Sequence, residues 1–326
     1  MYIGVYGFGS IGRLIAREAI ERGHEIVGVV DIDRDLLGKD VGDILGIGSV
    51  GLEVTDDIDI LANADVVIHA TGSYLDKVYN QIASVLSMGV DAVSTCETLA
   101  YPYYRYPILA IKLNEIAQDN GVAVIGTGIN PGFLLDTLPS VIASSVTSVK
   151  YVKAVRSVDA SKRREPFKKK IGIGRETDVV RDMLKRGELT GHVGYAESIY
   201  LIAHAGDLQL TKVVEEQEPL DAEEEIEIGS VKIGKGFCKG IKGYGIGYVG
   251  DKEVIRVEFQ AYIGAPEYEE ITVIGKNYSA TWRSSGTPGD QGTAAVVLNI
   301  AEKIKRVPPG LHLMTDLLPF KIRFSL

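Results

Sequence analysis

Residues 1–31 read MYIGVYGFGSIGRLIAREAIERGHEIVGVVD, and the architecture of the chain follows from them. Tyr2 to Tyr6 is a short apolar run of β-formers that enters Gly7-Phe8-Gly9-Ser10-Ile11-Gly12 directly. Ile11, Leu14, Ile15 and Ala19 then recur at helical spacing, which puts the glycines at a strand-to-helix turn. Glu25 to Val30 reads as a second strand, and it ends on Asp31. In this setting a G-x-G-x-x-G has physical content. Gly7 makes the tight turn, Gly9 lets the backbone approach a pyrophosphate, and Gly12 lets helix and strand pack closely. N–H groups from Phe8, Ser10 and Ile11, where the loop enters the helix, would hold the phosphates. Asp31 stands where a carboxylate can bond the ribose hydroxyls of an adenosine. Arg34 reads either as the partner of a ribose 2′-phosphate or as a solvated surface charge. The expectation is a Rossmann domain binding NAD or NADP; the plain alternative is a glycine-rich βα turn that binds nothing.

With 326 residues the chain can form two domains with substantial cores. Its apolar content of 45% and charged content of 24% are ordinary for a globular protein. A net charge of −9 argues against nucleic acid as the main partner, because phosphate binding needs a basic face. Cys96 and Cys238 make no disulfide framework, and no signal peptide, membrane span or metal site is expected. These features predict a cytoplasmic α/β protein.

Along the chain, Gly38 to Leu45 suggests a short helix, followed by an irregular stretch to Leu61. Asp65 to Ala70 is a buried-type strand ending in Thr71-Gly72-Ser73, which should line the nicotinamide half of the site; Ser73 also reads as the cap of a helix over 74–88. The next strand, Asp91 to Ser94, delivers Thr95-Cys96-Glu97 into the same crevice. Glu97 precedes the aromatic run Tyr101, Tyr103, Tyr104 and Tyr106. It reads either as a proton-transfer carboxylate walled by aromatics or as the cap of the next turn. Cys96 reads as a small buried filler. A helix over 108–120 closed by Gly121 leads to a strand over 122–126 and to Asn130-Pro131, whose amide should face the cofactor. Helical periodicity returns over 133–144, and the first domain is expected to span 1–146.

The character changes at Val149, where a long strand begins. The basic stretch Lys162, Arg163, Arg164, Lys168, Lys169, Lys170 reads either as a solvated loop or as one that brings Arg163 or Arg164 to a substrate carboxylate. His192, between glycines at a helix start that would lower its pKa, is a further substrate-binding candidate; His204 on the same helix should be packed. About five antiparallel strands are expected over 207–276, with the glycines of 234–250 marking bulges and turns. This second, α+β domain of 147–285 would bind substrate and form a homodimer. A last helix over 292–305 and the apolar tail Leu311 to Leu318 complete a segment, 286–326, that should pack back on the first domain.

The blocks GFGSIG, STCETLAYP, GTGINPGFLLDTLP, VRSVDASKRREPFKKKIGIG, GHVGYAES and PPGLHLMTDLLP resemble the 2,4-diaminopentanoate dehydrogenases. That family sits within the wider dihydrodipicolinate reductase-like and diaminopimelate dehydrogenase-like group that also holds the native amine dehydrogenases. The resemblance covers nearly the whole chain. It implies oxidative removal of an amine, with NAD or NADP taking the hydride, and 2,4-diaminopentanoate as the substrate. In the amine dehydrogenase branch a glutamate at this strand end serves the amine, and here it falls on Glu97. A dihydrodipicolinate reductase-like imine reductase fits less well, because its histidine-rich motif has no match beyond GHVG. A dinucleotide-binding sensor would need neither the strand-end acid nor the basic stretch.

Overall fold

A computed structural model of the chain describes residues 1–228 and 231–326. They form two compact units, Met1–Phe133 with Pro288–Leu317, and Leu134–Thr287 with Leu318–Leu326.

The first unit alternates strand and helix. Strands β1 (Tyr2–Tyr6), β2 (Glu25–Val30), β3 (Val66–His69), β4 (Asp91–Ser94) and β5 (Ala123–Gly126) are all parallel. These five lie side by side in the order β5-β4-β3-β1-β2, so the chain crosses back over β1 between β2 and β3. A reversal of that kind leaves a crevice at the carboxyl ends of the strands. Helix α1 (Ser10–Glu21) buries Gly12, Ile15, Ala16 and Ala19, one stripe at helical spacing. The other helices are α2 (Val41–Leu45), α3 (Leu75–Ser87), α4 (Pro102–Arg105) and α5 (Pro107–Asp119). The stretch before Leu61, which reads as irregular, is pinned by Asp40, whose carboxylate accepts from Asp43 N, Ser49 Oγ, Val50 N and Gly51 N.

In the second unit, α6 (Thr137–Ala143) leads into β6 (Val149–Asp159), which is followed by α7 (Glu165–Lys170), α8 (Thr177–Lys185) and α9 (Tyr195–His204). Then come β7 (Lys212–Asp221), the antiparallel pair β8 (Ile226–Ile228) and β9 (Val231–Ile233), β10 (Cys238–Val249), β11 (Lys252–Tyr262), β12 (Tyr268–Gly275) and β13 (Ser279–Arg283). The main sheet has the order β13-β12-β6-β11-β10-β7, and β6 pairs with β11 in parallel, where short connections alone suggest only antiparallel pairs. The glycines of β10 do more than mark bends. A Cβ on Gly243 would lie 2.4 Å from Tyr195 Oη, and on Gly245 2.7 Å from Ile199 Cδ1. The bare backbone is what lets α9 lie flat on the sheet.

Two expectations about boundaries change. The units divide at Phe133/Leu134 instead of 146/147, because α6 packs on β6, β12 and α9. The segment after Thr287 is shared. Helix α10 (Gly289–Ala301) packs on α1, and the apolar tail supplies β14 (Gly310–His312) as a sixth parallel strand beside β5. Leu318–Leu326 belongs instead to the second unit, where Val149 N donates to Arg323 O at 2.8 Å.

Candidate active site

The glycine loop has the stereochemistry its sequence asks for. Gly7 has φ +96°, and a Cβ there would meet Ala70 O at 2.7 Å and Thr71 Cγ2 at 2.8 Å. A Cβ on Gly12 would stand 1.9 Å from Gly7 O, so α1 can approach β1 only with glycine at this position. A Cβ on Gly9 would meet nothing within 4 Å, and that open side is where a pyrophosphate fits. Asp31 follows β2 directly, its Oδ2 accepting from Phe8 N at 2.5 Å and its Oδ1 from Asp33 N at 2.9 Å. The Phe8 N–H is thus taken by Asp31 and not offered to a phosphate. The carboxylate is locked to the loop, with Arg34 and Ile32 beside it exposed. These residues fit an adenine dinucleotide.

Glu97 is half-buried at the carboxyl end of β4. It opens a 3-10 turn, Glu97–Leu99, in which Leu99 N donates to Cys96 O and Ala100 N to Glu97 O. Two sets of bonds bracket it. Before it, Thr95 N donates to His69 O at 2.9 Å and Cys96 N to Ser94 Oγ at 3.1 Å. After it, Thr98 N donates to Ser73 O at 3.1 Å, and Thr98 Oγ1 accepts from Leu75 N at 2.8 Å. The start of α3 is therefore capped by Thr98 and not by Ser73, whose side chain makes no cap bond there. Gly126 closes the arrangement from β5, with its missing Cβ 2.5 Å from Leu99 C. The turns after β3 and β4 are one clamped assembly.

Around it, Cys96 is buried, and burial together with the neighbouring Glu97 pushes its thiol up to about 12, the range of an inert side chain. The Tyr101 and Tyr103 rings meet edge-on with centroids 5.8 Å apart, and Tyr106 Oη donates to Asp76 at 2.9 Å. Asn130 is half-buried and joined to Pro131 by a cis peptide. It follows Thr127, whose N–H donates to Ser94 O. Gly7 to Gly12, Asp31, Thr71 to Ser73, Thr95 to Glu97 and Asn130-Pro131 thus all belong to the first unit.

Arg163, Arg164 and His192 belong to the second unit. Lys162 ends a 3-10 turn and Lys168 to Lys170 lie on helix α7, with Arg163 and Arg164 in the link between them; the Arg163 guanidinium lies 5.3 Å from the Phe167 ring centroid. The His192 ring packs against Phe259 and Tyr195, at centroid distances of 4.5 and 4.6 Å. Its pKa falls to about 3 through burial, then Lys170 and Arg156. His204, expected to be packed, is exposed.

Sequence reasoning missed three groups here. Arg156 is buried and pairs with buried Glu269 at 3.2 Å; its Nη2 donates to Thr287 O at 3.0 Å. The signal was present, since Val152, Ala154, Arg156 and Val158 alternate onto one face of β6. His69 was similarly the ionisable end of an apolar strand. Asp136, which accepts from Ser198 Oγ at 2.8 Å, left no local sign.

A six-stranded parallel sheet carrying this glycine loop, helix start and strand-end acid defines a Rossmann-type dehydrogenase that uses NAD or NADP. Residues 1–96 match the family described as dihydrodipicolinate reductase, N-terminus. Residues 133–322 match the family described as 2,4-diaminopentanoate dehydrogenase C-terminal domain, and the chain belongs to that family. It is 29% identical to the 2,4-diaminopentanoate dehydrogenase of Acetoanaerobium sticklandii over 327 residues, 96% of this chain and 92% of the relative. An amine dehydrogenase of Streptomyces virginiae is 25% identical over 195 residues, 55% of this chain and 52% of the relative. The amine dehydrogenase from Mycobacterium smegmatis shares the fold, with a TM-score of 0.86 at 20% identity over 100% of this chain and 97% of that one. Among the described residues no helix is long and apolar enough to cross a membrane.

Proposed function

We propose that this chain catalyses the NAD- or NADP-dependent oxidative deamination of a primary amine, with 2,4-diaminopentanoate giving 2-amino-4-oxopentanoate and ammonia. The observation that carries the reading is Glu97, a half-buried carboxylate clamped at the carboxyl end of β4 in the unit that bears the glycine loop. The match of residues 133–322 and the similarity along 96% of the chain support it.

The bound nicotinamide supplies a hydride acceptor. The chain's part is to hold the dinucleotide and move protons. Ser10 and Ile11 offer N–H groups to the phosphates, Asp31 takes the ribose hydroxyls, and Thr71 to Ser73, Thr95, Cys96, Asn130 and Pro131 line the nicotinamide half. An ammonium has no lone pair to expel hydride, so Glu97 first accepts its proton and releases it to solvent, returning to the carboxylate. The C–H bond then breaks, and the carboxylate stabilises the resulting iminium. Water adds to the C=N carbon while Glu97 takes its proton and passes it to nitrogen. The C–N bond breaks as the hydroxyl proton passes to Glu97, leaving a ketone and ammonia. Arg163, Arg164 and His192 are the candidates for the substrate carboxylate. A homodimer, formed through the face of the second sheet opposite α9, and a cytoplasmic location complete the proposal.

The test follows nicotinamide reduction with 2,4-diaminopentanoate, with NAD and NADP assayed separately. Glu97→Gln should bind cofactor normally and lose turnover by about 100-fold or more. Wild-type turnover in that variant would remove Glu97 from the mechanism.

A further inference from the structure

His69 ends β3 fully buried, the one ionisable residue of that strand. Both ring nitrogens are bonded. Nδ1 lies 2.8 Å from Ser94 Oγ, while Nε2 lies 2.9 Å from Gln81 Oε1 and 2.8 Å from Thr71 Oγ1. The Thr71 hydroxyl donates to Gln81 Oε1 at 2.5 Å, and Ser94 Oγ accepts from Cys96 N at 3.1 Å. The partners assign the protons. An amide oxygen cannot donate, so Nε2 carries the hydrogen. Nδ1 then accepts from the Ser94 hydroxyl, whose lone pair is turned to Cys96 N–H. Burial lowers the ring's pKa to about 4, which keeps this neutral arrangement in place at neutral pH.

The segment entering Glu97 is therefore held twice by one residue, through the His69 carbonyl at Thr95 and through its ring and Ser94 at Cys96. The same ring fixes Thr71 in the turn after β3. We propose that His69 is a positioning residue for Glu97, holding the backbone that enters the acid through the chain from Nδ1 to Ser94 and Cys96. This rests on the reading of Glu97 given above.

The imidazole nitrogens can be replaced one at a time. The amide oxygen of His69→Asn stands where Nδ1 stands and can still accept from Ser94. His69→Gln reaches only the Nε2 partners, and His69→Phe keeps the volume with neither. These three and Ser94→Ala are compared by hydrogen exchange at the Cys96 amide, and by kcat on the amine against KM for NAD. In His69→Phe, His69→Gln and Ser94→Ala, exchange should quicken about tenfold or more and kcat fall about 10- to 100-fold, with KM for NAD within about threefold of wild type. His69→Asn should keep both protection and turnover. Unchanged exchange in His69→Phe and Ser94→Ala overturns the proposal, as does a His69→Asn as impaired as His69→Phe, or wild-type kcat in folded Ser94→Ala. Should the wild type turn over no amine, the amine reading fails, and the exchange series alone still decides whether the ring holds Cys96.

Discussion

Replacing Gly126 by alanine adds one methyl group to the end of β5, away from the glycine loop. Its Cβ would stand 2.5 Å from Leu99 C, 2.6 Å from Leu99 O and 2.7 Å from Ala100 N, where ordinary contact begins at 3.4 Å. All three are backbone atoms of the turn that carries Glu97, so no side chain can rotate out of the way. The nearest contact must open by 3.4 − 2.5, or about 1 Å, and a displacement of that size at a reacting group costs about 100-fold in rate. Overpacking of this kind also costs about 1–3 kcal/mol of stability. The expected result is kcat down about 100-fold with KM for NAD close to wild type, because the β1 turn is untouched. Steady-state kinetics with varied amine and varied NAD separate the two, and a thermal melt shows that the variant is folded. Wild-type kcat in a folded Gly126→Ala would mean that the position of Glu97 does not govern the rate.

Asp31→Ser removes the acid that is locked to Phe8 N and should raise KM for NAD about tenfold while leaving NADP unchanged or improved; an equal effect on both would show that Asp31 does not read the ribose. Glu269→Gln leaves the Arg156 guanidinium buried without its counter-charge and should cost about 3–5 kcal/mol in urea unfolding, against near-neutral behaviour if the pair were dispensable. Acid stability follows from His69 and His192. His69 and His192 have pKa values lowered to about 4 and about 3, so below about 6.5 the unfolded chain binds protons that the folded chain refuses. Their penalty is absent at pH 7 and grows as pH falls from about 6.5 towards those values, at up to about 1.4 kcal/mol per pH unit for His69. His69→Phe should lose stability less steeply between pH 6.5 and 4.5, and an unchanged slope in urea titrations would contradict the assignment.

The glycine loop was legible because its determinants are local. Gly7, Gly9 and Gly12 act through φ values and close approaches within one βα turn, and a change of hydrophobic period marks the turn itself. Asp31 is reached by simple counting. The Glu97 clamp was not legible, because its bonds join residues far apart in sequence. Thr98 caps a helix that begins at Leu75, and Gly126 makes room for a turn at Leu99. A threonine beside a candidate acid carries no sign of which helix it serves. For the same reason the β10 glycines read as turns: their purpose is α9, more than forty residues earlier in the chain.

Buried ionisable residues within apolar strands are where such long-range determinants leave a trace in sequence. His69 and Arg156 each break an otherwise apolar face, and burying either costs free energy unless partners are supplied from elsewhere. A strand that tolerates such a residue has partners fixed by the fold, so the residue points to a network before the network is visible. For Arg156 the network is an ion pair with Glu269, anchored at Thr287. For His69 it is a chain of hydroxyl and amide groups leading to the backbone of the candidate acid. The two differ in what their loss should do. Breaking the ion pair strands a charge and lowers stability, whereas breaking the His69 chain leaves neutral groups that can rearrange, so its effect should fall on the placement of Glu97 and therefore on kcat.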